Sequence, residues 1–192
     1  GAIQMISLNI DGKYVKVPKG STILAAARSL GIDIPTLCHR ELHGTGMVNK
    51  AASCRICVVE VTGRRNLAPA CATPVTEGME VRTNTIRVMN ARKMVMELLL
   101  SDHPKDCLTC AKSGSCELQD LAERFCLRES RFEGGEKSTY AHDRSAAIER
   151  DMDKCVMCRR CETMCNEVQT VGALSGINRG FKSVVAPAFE MP

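Results

Sequence analysis

Twelve cysteines in a chain of 192 residues constrain the fold more than any other feature of the sequence. All but one fall into three groups, and the second group also contains a histidine. The chain shows no charged segment followed by an apolar stretch that would mark it for secretion. Thiols outside the secretory pathway bind metals more often than they form disulfide bonds. We therefore expect a fold organised around metal centres, and the aromatic content of 3% leaves little for a large aromatic core.

The first group supplies four thiols, with a C-x2-C pair in CRIC: Cys38, Cys54, Cys57 and Cys71. Plant-type ferredoxins hold a [2Fe–2S] cluster with three cysteines from one loop and a distant fourth. The first gap here is longer than in that pattern, so we expect an extra excursion that turns at Gly44 and Gly46. The segment GTGMVN is not a dinucleotide-binding motif, because it lacks the third glycine and the preceding strand. A structural zinc site with the same four thiolates is the alternative.

The second group lies in HPKDCLTCAKSGSC and comprises His103, Cys107, Cys110 and Cys116. Its histidine lies four residues before the first of three closely spaced cysteines, which favours a ligand over a solvated side chain. One imidazole and three thiolates suit a tetrahedral zinc ion or a [4Fe–4S] cluster. The spacing alone leaves both alternatives open.

The third group has the spacing C-x2-C-x2-C-x3-C and comprises Cys155, Cys158, Cys161 and Cys165. In two-cluster ferredoxins the first three cysteines of such a motif hold one [4Fe–4S] cluster and the fourth holds the other. A single copy is therefore half of a paired motif. The remaining cysteine, Cys126, is expected to be a small buried apolar side chain on an amphipathic helix.

The pattern of residues 5–84 predicts a small mixed sheet crossed by one helix. Apolar residues alternate from Ile6 to Ile10, Asp11-Gly12 is a hairpin signal, and a second strand returns over 14–17. Thr22 or Ser21 is expected to cap a helix that runs to Leu30. Further strands are predicted over 57–61 and 79–82.

The pattern after residue 84 is helical. A helix is predicted over 85–103, with its apolar face formed by Ile86, Met89, Met96 and Leu100, and Pro104 ends it. A shorter helix is predicted over 117–127. The polar segment 129–145 contains Gly134-Gly135 and is expected to be a linker or surface loop.

The charge and hydropathy patterns exclude two broad classes of function. A net charge of +4 without a concentrated basic stripe does not indicate a nucleic-acid-binding protein. No apolar run approaches the ~20 residues of a spanning helix. The basic pairs Arg64-Arg65 and Arg159-Arg160 lie near cysteine motifs, where such pairs are either solvated surface or a docking site for an acidic redox partner.

Taken together, these motifs resemble the N-terminal iron–sulfur region of the catalytic subunit of multisubunit NAD(P)-linked [FeFe] hydrogenases, electron-bifurcating members included. The segments IPTLCH, CRICVVEV and PACATPV are similar to the [2Fe–2S] domain that these enzymes share with the large iron–sulfur subunit of respiratory complex I. DHPKDCLTCAKSGSCELQ is similar to the family's [4Fe–4S] motif of one histidine and three cysteines. CVMCRRCETMCNEVQTVGALSGINRGF is the most hydrogenase-like stretch, since complex I subunits usually lack the cysteine at the position of Cys165.

The resemblance implies an α+β chain of three domains. Residues 1–84 would form a plant-type ferredoxin domain of the β-grasp type that binds a [2Fe–2S] cluster. Residues 85–145 would form a small helical domain in which the histidine group binds a [4Fe–4S] cluster. Residues 146–192 would be the first half of a two-cluster ferredoxin domain, truncated before its second motif. There Cys155, Cys158 and Cys161 would hold one [4Fe–4S] cluster with a fourth ligand beyond the chain end, and Cys165 would ligate a second.

The function implied by the resemblance is the relay of single electrons within an oxidoreductase, with the hydrogen-converting site outside this chain. The expected partners are a flavin- and NAD(P)H-binding iron–sulfur subunit, a small [2Fe–2S] subunit and ferredoxin, in the cytoplasm of an anaerobe. The equivalent region of an NAD-dependent formate dehydrogenase, a soluble NAD-linked hydrogenase or complex I is the closest alternative. A zinc-binding scaffold without redox chemistry is the alternative from another class.

Overall fold

The computed structural model describes residues 4–134, 143–144 and 148–187. The chain divides into two compact units that are interleaved along the sequence. The first unit comprises residues 1–36 and 54–95, and the second comprises residues 37–53 and 96–192. The division into three consecutive domains stays a prediction, whereas the predicted mixture of helices and strands is confirmed.

A five-stranded sheet organises the first unit, in the order β2-β1-β5-β3-β4. The adjacent strands β1 and β5 run parallel, and every other pair of adjacent strands in this sheet is antiparallel. The helix α1 connects β2 to the segment that precedes β3. The elements of this unit are β1 (Met5–Ile10), β2 (Lys13–Pro18), α1 (Ile23–Ser29), β3 (Val58–Val61), β4 (Ala68–Pro69) and β5 (Met79–Arg82).

The first hairpin and helix form for the reasons that their sequence predicts. Ile6, Leu8 and Ile10 are buried on one face of β1, as alternation with period two requires. The turn to β2 has positive φ at Asp11 (50°) and Gly12 (83°), the backbone that favours Asp-Gly in two-residue hairpins. Thr22 caps α1 by accepting a hydrogen bond from the Ala25 amide at 3.2 Å. These predictions are confirmed.

The predicted apolar face of the long helix α2 (Ile86–Ser101) is partly wrong. Ile86 is 82% exposed, whereas Val88, Arg92 and Met96 are buried. The buried face of α2 is rotated relative to the predicted one because it includes Arg92. The Arg92 guanidinium donates two hydrogen bonds to the Val58 carbonyl, at 2.8 and 3.2 Å. A buried polar group is tolerated where such bonds satisfy it, and a hydrophobic pattern cannot detect that.

The second unit contains short elements around its loops. They are α3 (Glu117–Arg124), β6 (Asp143–Arg144), β7 (Glu149–Arg150), α4 (Arg160–Thr163), β8 (Leu174–Ile177) and β9 (Val184–Pro187). Antiparallel pairing joins β6 to β7 and β8 to β9. The predicted loop over 129–145 is irregular to residue 134, contains β6, and otherwise lies outside the described residues. Among the described helices, none combines the length and the apolar character needed to cross a membrane.

Candidate metal centres

Three thiols of the first group lie in the first unit and are almost fully buried: Cys54 at 7%, Cys57 at 1% and Cys71 at 5% exposure. The pairing of β3 with β4 brings two of them together. Cys57 directly precedes β3, and its carbonyl accepts a hydrogen bond from the Ala70 amide at 3.1 Å, next to Cys71. Between Cys54 and Cys57, Arg55 has a φ of 60°. This left-handed residue permits a tight turn that keeps the cysteines of CRIC close.

The fourth thiol of this group, Cys38, belongs to the second unit and is completely buried. It opens the excursion that the long first gap predicts. The excursion is a hairpin closed by an antiparallel bridge between Glu41 and Val48. It turns through Gly44 (φ 72°) and Gly46 (φ 68°), so the predicted role of both glycines is confirmed. We call residues 38–53 the ligand hairpin.

Three members of the second group, His103, Cys107 and Cys116, line a cavity of about 570 Å³. His103 follows the end of α2, and Cys107 begins a single 3₁₀ turn. Cys116 is the residue that precedes the first turn of α3. Cys110 is bonded to this set through its amide, which donates to the Cys107 carbonyl at 3.3 Å. The fold therefore places three predicted ligands around one cavity. The fourth, Cys110, lies one 3₁₀ turn after Cys107.

The prediction that Cys126 is buried is wrong. The residue is exposed and lines the same cavity as the histidine group. The cause is that α3 ends at Arg124, so Cys126 lies beyond the helix with a φ of 54°. Phe125, at 3% exposure, takes the buried position instead.

The third group lies on an irregular loop that leads into α4. Met157 and Arg159 have positive φ values of 52° and 59° on either side of Cys158. Such alternation turns successive amides toward one point, the arrangement of anion-binding nests at phosphate and iron–sulfur sites. Accordingly, the Met157 amide donates to the Cys155 sulfur at 3.4 Å. The loop is shaped to stabilise negatively charged sulfur.

The first three thiols of this group are close enough to interact electrostatically. Partial burial of its thiol, followed by the negative charges of Cys158 and Cys155, raises the pKa of Cys161. Cys165 lies in the single π turn Met164–Val168 that continues α4, and its sulfur accepts a hydrogen bond from the Ala173 amide at 3.3 Å. Mutual repulsion of this kind is relieved when thiolates bind a positively charged metal centre.

A guanidinium lies beside the third group. The Arg160 Nε donates to the Cys158 sulfur at 3.5 Å, while its two terminal nitrogens bind the Glu117 carboxylate at 2.6 and 3.2 Å. Desolvation is the largest influence and lowers the pKa of Arg160, but the bonds to Cys158 and Glu117 together outweigh it and raise the pKa. Glu117 also pairs with Arg40 at 3.3 Å. The sequence predicts Arg159-Arg160 to be solvated surface or a docking site for an acidic redox partner, and it does not predict this contact with a predicted ligand.

The donor set fits iron–sulfur clusters by its chemistry. All twelve cysteines lie outside disulfide bonds, and thiolates with one imidazole are ligands that such clusters use. Within the described ranges, no three His, Cys, Asp or Glu side chains converge closely enough to hold one metal ion. The fit therefore rests on the donor types, the cavity and the amides aimed at sulfur.

Two family models match consecutive parts of the chain. Residues 3–86 match a 2Fe-2S iron-sulfur cluster binding domain. Residues 92–131 match the NADH-ubiquinone oxidoreductase-G iron-sulfur binding region. These matches span the first and second ligand groups, and they confirm the predicted [2Fe–2S] and [4Fe–4S] cofactors at the level of the domains.

Individual relatives are subunits of oxidoreductases. The chain is 69% identical, over 98% of its length, to the NADP-reducing hydrogenase subunit HndD of Solidesulfovibrio fructosivorans, of which it covers 32%. It is 41% identical, over 94% of its length, to a G-type subunit of the NADH-quinone oxidoreductase of Rhizobium meliloti, of which it covers 21%. The chain thus spans about a third or less of these relatives.

A solved structure resembles nearly the whole chain. It is the crystal structure of an NAD⁺-reducing [NiFe]-hydrogenase in the H2-reduced state, with a TM-score of 0.78 and 29% sequence identity. The similarity covers 95% of this chain and 75% of that one. Together with the two relatives, it confirms the predicted kinship with hydrogenase and complex I subunits.

Proposed function

We propose that this chain, an iron–sulfur electron-transfer module that joins a 2Fe-2S domain to an NADH-ubiquinone oxidoreductase-G region, serves an NAD(P)-linked [FeFe] hydrogenase. In that enzyme it would carry single electrons between a nicotinamide-linked partner subunit and a hydrogen-converting site outside this chain. The observation that carries the proposal is the 69% identity to an NADP-reducing hydrogenase subunit across 98% of the chain. The fourth cysteine of the third group, Cys165, supports the hydrogenase branch.

The proposed ligands follow the three groups. The [2Fe–2S] cluster would be held by Cys38, Cys54, Cys57 and Cys71, and one [4Fe–4S] cluster by His103, Cys107, Cys110 and Cys116. A further [4Fe–4S] cluster would take Cys155, Cys158 and Cys161, and Cys165 would ligate another. Burial of the first group and the shared cavity of the second support this assignment. When bound, such clusters accept and release one electron at a time.

The chain itself contributes the environment of the ligands. The buried thiols of the first group exclude water from their site, which strengthens every charge interaction there. The Met157 and Ala173 amides donate to ligand sulfurs, and the Arg160 guanidinium donates to a third. Such bonds withdraw negative charge from sulfur and are a means by which proteins raise cluster potentials.

The remaining details belong to the same proposal. The first unit would be a plant-type ferredoxin domain of the β-grasp type, supported by its β-β-α-β-β-β element order and the parallel pairing of β1 with β5. The partners would be a flavin- and NAD(P)H-binding subunit, a small [2Fe–2S] subunit and ferredoxin, in the cytoplasm. The relatives are named as subunits of larger enzymes, which supports a multisubunit assembly.

Ligand substitutions in the intact protein test the assignment. In protein purified without oxygen, Cys57→Ser should remove about two irons and two sulfides, and Cys110→Ser about four of each. Cys126→Ser is the matched control, because Cys126 lines the same cavity but is not a proposed ligand, and it should keep its full iron content. Loss of zinc in place of iron and sulfide would leave the zinc scaffold as the better explanation.

The equivalent region of a soluble NAD-linked hydrogenase or complex I is the second candidate, favoured by the TM-score of 0.78. The two candidates differ in what the intact protein does with hydrogen. Hydrogen-dependent reduction of NADP⁺ or NAD⁺ that requires iron but no nickel supports the proposal. A requirement for nickel, or quinone reduction without hydrogen turnover, would favour the second candidate.

A further inference from the structure

Asn49 is a completely buried amide in the ligand hairpin, at 0% exposure. Its Nδ2 donates to the Cys38 carbonyl and to the Cys158 carbonyl, both at 2.8 Å. Its Oδ1 accepts a hydrogen bond from the Thr163 hydroxyl at 2.7 Å. Both donors and the acceptor are therefore engaged, and a buried amide needs such partners to offset its desolvation.

The two carbonyls that Asn49 joins belong to different predicted ligand groups. Cys38 lies 11 positions before Asn49, and Cys158 lies 109 positions after it. Each bond is to the backbone carbonyl of a predicted ligand residue. It therefore restrains the position of that residue's Cα, from which the side chain with its sulfur extends. The single side-chain amide thus holds the two segments in register with one another.

A second contact repeats the arrangement at the far end of the ligand hairpin. The Ser53 hydroxyl donates to the Met157 carbonyl at 2.9 Å, one residue before Cys158. All of these residues lie in the second unit. The hairpin is therefore attached to the third group's loop at two points, of which Asn49 is the fully buried one.

We propose that Asn49 is a positioning residue for electron transfer, which fixes the separation between the cluster bound through Cys38 and the cluster bound through Cys158. This inference rests on the proposed ligand assignment. In the transfer, the donor cluster is oxidised by one electron and the acceptor cluster is reduced by one, with no proton or further reactant. Because electron tunnelling weakens steeply with distance, loosening the bridge should slow the transfer and weaken the magnetic coupling of the two reduced clusters.

The test uses Asn49→Leu in the intact protein, purified without oxygen. The variant keeps the number and branching of the side-chain heavy atoms but is bulkier and loses all three hydrogen bonds. EPR of the reduced protein should show both clusters at wild-type iron content, with loss of the spin–spin broadening between them and slower passage of an electron from one to the other. Thr163→Val removes the bond to Asn49 Oδ1, together with the contact of the same hydroxyl with the Arg159 carbonyl at 3.2 Å. It leaves both bonds from Asn49 Nδ2 in place and should give an intermediate effect, which keeps the test decisive if Asn49→Leu does not fold.

The matched control is Thr45→Val in the same ligand hairpin, because the Thr45 hydroxyl bonds only within it, to the Leu42 carbonyl at 2.7 Å and from the Met47 amide at 3.1 Å. It should leave the broadening and the transfer rate unchanged. If Asn49→Leu and Thr163→Val also keep both, even with a lowered unfolding midpoint, Asn49 is only structural and the inference is overturned. A wild-type protein without [2Fe–2S] and [4Fe–4S] signals would instead overturn the proposed function itself.

Discussion

The guanidinium of Arg160 should raise the reduction potential of the cluster that Cys158 is proposed to bind. Its Nε lies 3.5 Å from the Cys158 sulfur, so the positive charge favours the reduced, more negative state of that cluster. The substitution Arg160→Met removes the charge and the hydrogen bond but keeps an unbranched apolar stem. We expect the potential to fall.

The size of the effect follows from Coulomb's law. A unit charge about 6 Å from an added electron interacts with it by about 3 kcal/mol at an effective dielectric constant of about 20. The Arg160 side chain is 32% exposed and shares its charge with Glu117, so we retain roughly a third, about 1 kcal/mol. For a one-electron couple, in which about 59 mV corresponds to a tenfold change, that is a fall of about 40 mV.

The measurement is a potentiometric titration followed by EPR, with the signal assigned by its loss in Cys161→Ser. Arg159→Met is the matched control, because it removes the same charge from the neighbouring residue. The Arg159 guanidinium is bound to Glu162 at 2.5 and 2.6 Å, not to a ligand sulfur. Equal shifts in both variants, or no shift in Arg160→Met, would refute the role of the hydrogen bond.

Two further substitutions test the second group and the core of the first unit. His103→Cys replaces a neutral imidazole by a thiolate, so the [4Fe–4S] signal should persist with its reduction potential lowered by on the order of 100 mV. A redox titration followed by EPR measures this shift. Complete loss of the signal would count against the ligand role of His103. Arg92→Met leaves the buried Val58 carbonyl without its two bonds, which should lower the free energy of unfolding by about 1–3 kcal/mol in urea denaturation. The exposed neighbour serves as control, and Lys93→Met should change that free energy by less than about 0.5 kcal/mol; comparable losses in both would contradict the assigned bonds.

Local chemistry allowed the sequence to predict the first hairpin and helix. Alternating apolar residues, the Asp11-Gly12 pair and the Thr22 cap each act within a few positions, so their outcome depends little on distant contacts. The buried face of α2 does not share this property. Arg92 is satisfied by Val58, 34 positions away, and a periodicity argument treats any arginine as exposed.

The candidate sites show the same contrast. The spacing of the cysteines predicts the three groups, because ligand spacing is itself a local property of the chain. The contacts that support the predicted ligands were not predictable, since Arg160 meets Glu117 across 43 positions and Asn49 meets Thr163 across 114. Polar residues of these types are usually solvated, so nothing in their own surroundings along the sequence marked them.

The interleaving of the two units has a consequence for how the protein is made. A ribosome delivers residues 1–36 first and 54–95 soon after, so the strands and helix of the first unit can assemble while synthesis continues. The ligand hairpin lies between those segments, but its hydrogen bonds to the loop of the third group form only when Met157 and Cys158 have emerged. Cys38, the earliest predicted ligand in the sequence, therefore lies on a hairpin whose attachment is completed late in synthesis. We expect that cluster insertion at the first group follows translation of the third, so that maturation runs against the order of the chain.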